Sequence, residues 1–123
     1  MLQTFGQHLR RKRLDLNLSV IQAAKDIGIT DSTLILWEYD RRLPSISFYP
    51  LAIAFIGYDP LYDNSGTLSA KIENYRRKHG LSYDDLGELI GIQGAGLGKI
   101  AQGKGNPKQV TIDKILKIVE PSN

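Results

Sequence analysis

The chain has 123 residues, a length that fits one ordinary domain or two very small ones. It contains no cysteine, which excludes disulfides and thiolate chemistry and fits a reducing compartment. The net charge is +3, and the excess lies in residues 67–123, because residues 1–66 carry seven basic and seven acidic side chains. No apolar run approaches the roughly 20 residues that cross a bilayer. At the amino terminus the charged residues follow the apolar ones, which is the reverse of the order in a secretory signal. We therefore expect a cytoplasmic protein without a membrane contact.

The first half of the chain predicts a series of short helices. Phe5, Leu9 and Leu16 indicate an opening helix, because their spacing places them on one face. Ser19 is the expected N-cap of a second helix and begins a capping box. Gly28 is expected to end that helix, since glycine adopts the left-handed conformation at such a position.

Two further helices are predicted before the middle of the chain. Thr30 caps a third helix that runs through Trp37, whose indole is expected in the core. Pro44 then breaks the chain, and Ser47 is the expected cap of a last helix with Pro50 in its first turn. No segment predicts a strand, so the fold class is all-α.

The second half repeats the first at an offset of 63 residues without a gap. The identical pairs are Thr4/Thr67, Arg13/Arg76, Leu18/Leu81, Ser19/Ser82, Ile27/Ile90, Gly28/Gly91, Ile29/Ile92, Leu34/Leu97 and Pro44/Pro107. Such an ordered set predicts two copies of one module. We expect a first module at 1–57, a linker at 58–66 and a second module at 67–123.

The run "GKIAQGKG" at residues 98–105 resembles a phosphate-binding P-loop. Gly105 stands where that motif has its magnesium-binding hydroxyl. By the repeat, the run falls on the end of the second module's third helix and the loop after it, so we expect no nucleotide there. Its glycines predict a frayed helix, since each costs roughly 0.5–1 kcal/mol relative to alanine.

The sequence offers no catalytic set. No carboxylate pair, nucleophile with a base, or metal-ligand spacing is present, and the two histidines lie in different segments. We therefore expect no enzyme, no metal and no cofactor.

The segment "LRRKRLDLNLSVIQAAKDIGITDSTLILWEYDRRLPSI" carries a family resemblance. Its "LS", "A-x-x-I-G-I-T", "S-T-L" and "W-E" followed by basic residues and proline resemble the phage Cro/repressor family, the XRE-like helix-turn-helix regulators. Residues 68–119 resemble the same family more loosely. The resemblance implies two tandem lambda-repressor-like helix-turn-helix bundles of four to five short helices each, binding double-stranded DNA.

The resemblance also implies site residues, because the second helix of the motif enters the major groove. Base contacts would come from Thr30, Asp31, Ser32, Thr33 and Leu36, and from Lys99 in the second module. Phosphate contacts would come from Ser19, Lys25, Arg41, Arg42, Ser82 and Lys104. Arg13 and Glu38 resemble a buried structural pair that the second module lacks, since Ala101 stands there.

Two functions stay open at this point. The first is a sequence-specific regulator of transcription with a recognition helix near 30–39. The alternative is a protein-interaction module, an antirepressor or an antitoxin component, in which Ile35 and Leu36 pack against the other copy or a second chain. The second module either clamps the DNA backbone or serves only for packing. One chain could cover two successive major grooves, or a homodimer could form.

Overall fold

A computed structural model describes residues 1–120, and this part of the chain is helical with no strand. It divides into two compact units, Met1–Leu61 and a second that begins at Tyr62. We call them the first module and the second module. None of the helices described is both long and apolar enough to cross a membrane.

The first module contains four helices and a short 3-10 turn. These are α1 (Phe5–Asp15), α2 (Val20–Ile27), α3 (Asp31–Glu38), the 3-10 turn (Ile46–Phe48) and α4 (Tyr49–Ile56). The helix α1 begins at Phe5 because the Thr4 hydroxyl accepts a hydrogen bond from the Gln7 backbone amide at 3.1 Å. The Gln7 side chain accepts from the Thr4 amide in return, which completes a capping box.

The second module contains α5 (Leu68–His79), α6 (Tyr83–Ile90), α7 (Gly94–Ala101) and α8 (Gln109–Val119). The first three of these begin 63 residues after α1, α2 and α3. The all-α fold and the tandem arrangement predicted from the sequence repeat are thus confirmed.

The core of the first module is built mainly from α1 to α4. Its buried residues are Phe5, Leu9, Ala23, Ala24, Ile27, Leu34, Trp37, Tyr49, Ala52 and Ile56. The rings of Phe5 and Tyr49 meet edge to face with centroids 5.3 Å apart. Burying one large apolar side chain stabilises a fold by about 1.5–3 kcal/mol, so this cluster supplies the main driving force for the first module.

The core of the second module uses fewer and smaller side chains. Its buried cluster is Ile72, Leu86, Ile90, Leu97, Ala101, Ile115 and Val119. Aromatic side chains border this cluster only as half-buried groups, at Tyr75 and Tyr83. Since aromatic rings bury the most area per residue, the second module has less apolar stabilisation than the first.

Two expectations about helix ends were wrong. Ser47 does not cap the last helix of the first module, because it lies inside the 3-10 turn that continues directly into α4. An N-cap needs extended backbone, which a residue within a helical turn does not have. Pro50 does fall in the first turn of α4, as predicted. Leu16 lies just beyond α1 and is 48% exposed, because Asn17 adopts a positive φ of 57° and turns the chain there.

The segment predicted as a linker is attached to the module on each side of it. The Tyr58 hydroxyl lies 2.6 Å from Nδ1 of His8 in the first module. In the second module, the Asn74 side chain accepts a hydrogen bond from the Asp63 backbone amide at 3.0 Å and donates one to the Asp63 carbonyl at 2.9 Å. The chain between the modules is therefore shorter than residues 58–66.

Candidate nucleic-acid interface

The helix α2 is capped at both ends, and a tight turn joins it to α3. The Ser19 hydroxyl accepts from the Gln22 amide at 3.1 Å, and the Gln22 side chain accepts from the Ser19 amide at 2.9 Å. Gly28 has a φ of 93°, and its amide donates to Ala24 at 2.8 Å. Because glycine adopts this left-handed conformation without strain, α2 ends there and the chain reverses into α3.

The helix α3 buries one flank and leaves the other accessible. Its buried residues are Leu34, Trp37 and Glu38. Among the residues expected at base edges, Asp31 and Ser32 are exposed, while Thr33 and Leu36 are half-buried. The structure therefore brings the expected base-contact residues of the first module onto the first turn and a half of one helix.

The polar side chains of this flank differ in how many hydrogen bonds they already make within the protein. The Thr30 and Thr33 hydroxyls lie 2.8 Å apart, and Thr30 also accepts from the Thr33 amide at 3.2 Å, which caps α3. One Asp31 carboxylate oxygen accepts from the Ser32 amide at 2.8 Å. The Ser32 hydroxyl has no partner within residues 1–120. Ser32 is therefore the side chain on α3 with its full hydrogen-bonding capacity available to a base.

Apolar side chains continue the accessible surface toward the end of α3. Ile35 is 43% exposed and Tyr39 is 62% exposed. Such groups can contact a thymine methyl group, which is the apolar feature of the major groove. They offer the same surface to a protein partner.

Three cations of the first module are available for phosphate. Lys25, Arg41 and Arg42 are exposed, and none of their side chains has a hydrogen bond or an ion pair within the described chain. The backbone amides of Arg41 and Arg42 donate to the Leu36 carbonyl at 2.9 and 3.3 Å. These bonds hold the two arginines close to the end of α3. Ser19 keeps its hydroxyl hydrogen free, since its oxygen acts only as an acceptor in the cap.

Arg13 and Glu38 form a two-pronged ion pair that ties α1 to α3. The Arg13 Nε lies 2.6 Å from Oε2 of Glu38, and its Nη2 lies 3.0 Å from Oε1. The side chains are 11% and 2% exposed, respectively. The hydrogen bonding that Arg13 donates to the Glu38 carboxylate raises the pKa of Arg13, against the lowering effect of burial. The remaining Nη1 donates to the Leu18 carbonyl at 3.0 Å, so the guanidinium fixes the chain entering α2 as well.

The second module repeats the turn between its helices with different surface chemistry. Ser82 accepts from the Asp85 amide at 3.0 Å, and Gly91 has a φ of 95°. Lys99 and Lys104 are exposed. The first turn of α6 exposes Asp84 and Asp85, at positions where the first module has an isoleucine and a glutamine. The second module therefore combines two exposed lysines with an acidic turn.

The expectation of a frayed helix at the glycines was wrong. The helix α7 runs without interruption from Gly94 to Ala101. A Cβ atom on Gly94 would lie 2.8 Å from the Asp84 backbone, and one on Gly87 would lie 2.6 Å from the Ile92 carbonyl oxygen. These glycines allow α6 and α7 to approach more closely than side chains permit, so they serve packing.

The second module has a local network where the first has its buried ion pair. Arg76 Nη1 lies 3.1 Å from Oε2 of Glu73 on the same helix, and the guanidinium lies 3.7 Å from the centroid of the Tyr83 ring. The Tyr83 hydroxyl donates to Glu73 at 2.8 Å. Burial, followed by this hydrogen bond, raises the pKa of Tyr83. The network joins α5 to α6, and α7 has no carboxylate that could take part.

The sequence match of the chain shows its family. The model of a helix-turn-helix family matches residues 9–62 and again residues 72–119. The chain belongs to the Cro/repressor (XRE-like) helix-turn-helix family. Because the model matches twice, the chain is a tandem helix-turn-helix protein of the DNA-binding regulator type. No curated protein and no solved structure matches it significantly.

The glycine-rich run of this helix-turn-helix protein has no P-loop geometry. Residues 98–101 are the end of α7, and residues 102–105 form the turn after it, with Gly103 and Gly105 both at a φ of 77°. A P-loop would follow a strand and precede a helix. The interpretation of the run as the end of a helix and its loop is confirmed.

Sequence reasoning missed the residue that joins the end of α3 to the start of α1. Asp40 has a positive φ of 57°, and its carboxylate accepts from the Thr4 hydroxyl at 2.6 Å and from the Gly6 amide at 3.1 Å. A Cβ atom on Gly6 would lie 2.7 Å from the Glu38 carbonyl oxygen, so the helices meet there at backbone distance. The repeat could have indicated the positive φ at Asp40, because a glycine, Gly103, occupies the corresponding position in the second module.

Proposed function

We propose that this helix-turn-helix protein is a sequence-specific DNA-binding regulator of transcription that places α3 of its first module in the major groove. The observation that carries the proposal is the pairing of an accessible α3 flank with free cations beside it. The Ser32 hydroxyl is unpartnered within the described residues, and Arg41 and Arg42 are held at the end of the same helix. A motif of this kind presents the first residues of its second helix to base edges.

The residues of the first module divide into two roles. Ser32 donates to or accepts from a base, Asp31 accepts from a cytosine amine, and Leu36 contacts a thymine methyl group. Thr30 and Thr33 have two hydroxyl hydrogens and use one of them in the bond between them. The other is available to donate to a base. The phosphate contacts come from Ser19, Lys25, Arg41 and Arg42, which set the position of α3 without selecting a sequence.

The second module has a weaker basis for sequence reading. The first turn of α7 holds Gly94 and Ala95, which have no hydrogen-bonding side chain, so we assign this module to the DNA backbone. Its contacts are Lys99, Lys104 and the Ser82 hydroxyl. The exposed carboxylates of Asp84 and Asp85 oppose phosphates at the start of α6, which keeps this contact weak.

The arrangement predicts an asymmetric DNA site. The two modules of one chain differ at every position expected near a base, so a site that engages both has a specific half and a tolerant half. The competing arrangement is a homodimer in which only the first modules contact DNA. A homodimer would require a palindromic site, because the symmetry of the site follows that of the protein.

A protein-interaction role is the second candidate function. The acidic first turn of α6 favours it, since Asp84, Asp85 and Glu88 are all exposed on a helix that would otherwise approach phosphates. The exposed Ile35 on α3 and Tyr39 directly after it fit a protein partner as well as a thymine methyl group. In this case the fold is retained while DNA binding is weak or absent.

A gel shift with mixed genomic fragments at two salt concentrations separates the two candidates. A regulator binds at low salt and weakens as salt rises, with a slope that decreases by about 0.9 for each phosphate contact removed. Arg41→Gln and Arg42→Gln are expected to reduce that slope. Lys117→Gln, an equal loss of charge on the exposed face of α8, serves as the control and is expected to leave the slope unchanged. Absence of binding at low salt would reject the regulator and leave the interaction role.

A further inference from the structure

A groove of about 480 Å³ lies between α3 and the loop that follows it in the first module. Trp37, Leu43 and Phe48 give it apolar walls, and Thr30, Thr33 and Arg42 give it polar groups. A volume between about 300 and 1,000 Å³, mostly apolar walls and a few convergent polar groups are the usual features of a small-molecule site.

Trp37 is the main aromatic side chain along this groove. The residue is only 3% exposed, and its ring meets Phe48 edge to face with centroids 6.1 Å apart. The described residues contain no buried side-chain nitrogen without a hydrogen-bond partner, so the indole N–H, which has no protein partner there, reaches solvent. The apolar wall and the charge beside it, not this donor, define what the groove can bind.

The polar groups around the groove select for a negative charge. The Arg42 guanidinium has no ion pair in the described chain, and no described residue that lines the groove is acidic. The Thr30 and Thr33 hydroxyls hold two hydrogens and use one between them, which leaves one to donate. A guanidinium and a free hydroxyl beside an apolar wall fit a carboxylate that carries an apolar ring.

We propose that this groove binds a small aromatic carboxylate, with its ring against Trp37, Leu43 and Phe48 and its carboxylate on Arg42 and a threonine hydroxyl. Thr30, Thr33 and Arg42 are also assigned to DNA in the proposed function. The bound acid therefore competes with DNA, which would make the first module responsive to a metabolite. The competition rests on the proposed function, whereas the binding itself does not.

The chain contains one tryptophan, so a ¹⁵N-labelled sample gives one indole N–H signal that reports on the groove. Phenylacetate is expected to shift this signal in a saturable way without DNA present. Phenylacetamide has the ring without the charge, and acetate has the charge without the ring. Both are expected to bind at least about fivefold more weakly. No shift with millimolar phenylacetate, or equal binding of phenylacetamide, would overturn the proposal.

Two arginine variants test the charge contact without disturbing the fold, because both side chains are exposed and only their backbone amides bond to α3. Arg42→Gln is expected to raise the Kd for phenylacetate by about five- to tenfold, and Arg41→Gln to leave it within about twofold. Unchanged binding by Arg42→Gln would overturn the site.

A gel shift with saturating phenylacetate then tests competition. We expect the apparent Kd for DNA to rise, and an unchanged value would overturn the competition. If the protein binds no DNA at all, the proposed function fails while the NMR titration still decides the groove.

Discussion

Replacing Glu38 by alanine removes one partner of the buried ion pair that joins α1 to α3. Arg13 then loses both charge-assisted bonds, at 2.6 and 3.0 Å, and keeps only the Leu18 carbonyl. The Arg13 side chain is 11% exposed, so water cannot fully replace the lost carboxylate. The variant therefore leaves a positive charge inside the first module without its counterion.

The expected loss of stability is about 3 kcal/mol. Removal of one partner from a buried pair costs roughly 3–5 kcal/mol, and the lower end applies because the edge of Arg13 reaches solvent. In a domain of 60–100 residues, each kcal/mol lowers the melting temperature by roughly 4–8 °C. The first module of Glu38→Ala should therefore melt about 12–24 °C below the wild-type module.

Trp37 fluorescence is the appropriate assay, because it is the single tryptophan of the chain and lies in the first module. Asp15→Ala is the matched control, since its pair with Arg11 is 57–65% exposed and such pairs contribute about 0–1 kcal/mol. A double replacement, Arg13→Met with Glu38→Leu, should recover most of the loss, because it removes the uncompensated charge. A Glu38→Ala transition within 2–3 °C of wild type, roughly half a kcal/mol on the same scale, would show that the pair does not behave as a buried one.

Three other predictions concern residues whose roles the structure defines. Gly94→Ala should destabilise the second module by more than about 2 kcal/mol, because its Cβ would meet the α6 backbone at 2.8 Å. Gly96→Ala has open space and should stabilise α7 by up to about 1 kcal/mol, so equal circular-dichroism melts of the two variants would contradict this account. Asp40→Ala should cost about 1–3 kcal/mol by leaving the start of α1 without its acceptor, and an unchanged Trp37 fluorescence melt would show that water replaces it. Lys99→Ala and Lys104→Ala should weaken binding to all DNA sequences alike and reduce the salt slope by about one unit each, whereas a change in base preference would assign them to bases.

The starts of α2, α3 and α6 were predictable because capping chemistry is local. Ser19, Thr30 and Ser82 each accept a hydrogen bond from the amide three residues later, as their spacing indicated. The repeat at an offset of 63 residues then transferred the helices of the first module onto the second. Local patterns together with the repeat were sufficient for the fold class.

The contacts that position α3 could not be predicted from local patterns. The bonds from Asp40 to α1 cross 34 and 36 residues of sequence, and no periodicity reports on such a separation. Intrinsic propensity does not show the role of Gly94, which is decided by the close approach of α6. The mutual bond between Thr30 and Thr33 depends on side-chain rotamers, so the sequence did not show that Ser32 is freer than either.

Selection of binding sites from a random DNA pool shows whether α3 of the first module chooses the DNA sequence. We expect the wild-type chain to enrich one asymmetric sequence, with strict bases in one half and tolerance in the other. Ser32→Ala should relax the preference at a single position of the strict half, because it removes the freest hydrogen-bonding group on α3. Enrichment of no sequence, or of one that Ser32→Ala leaves unchanged at every position, would contradict the claim that α3 of the first module selects the DNA site.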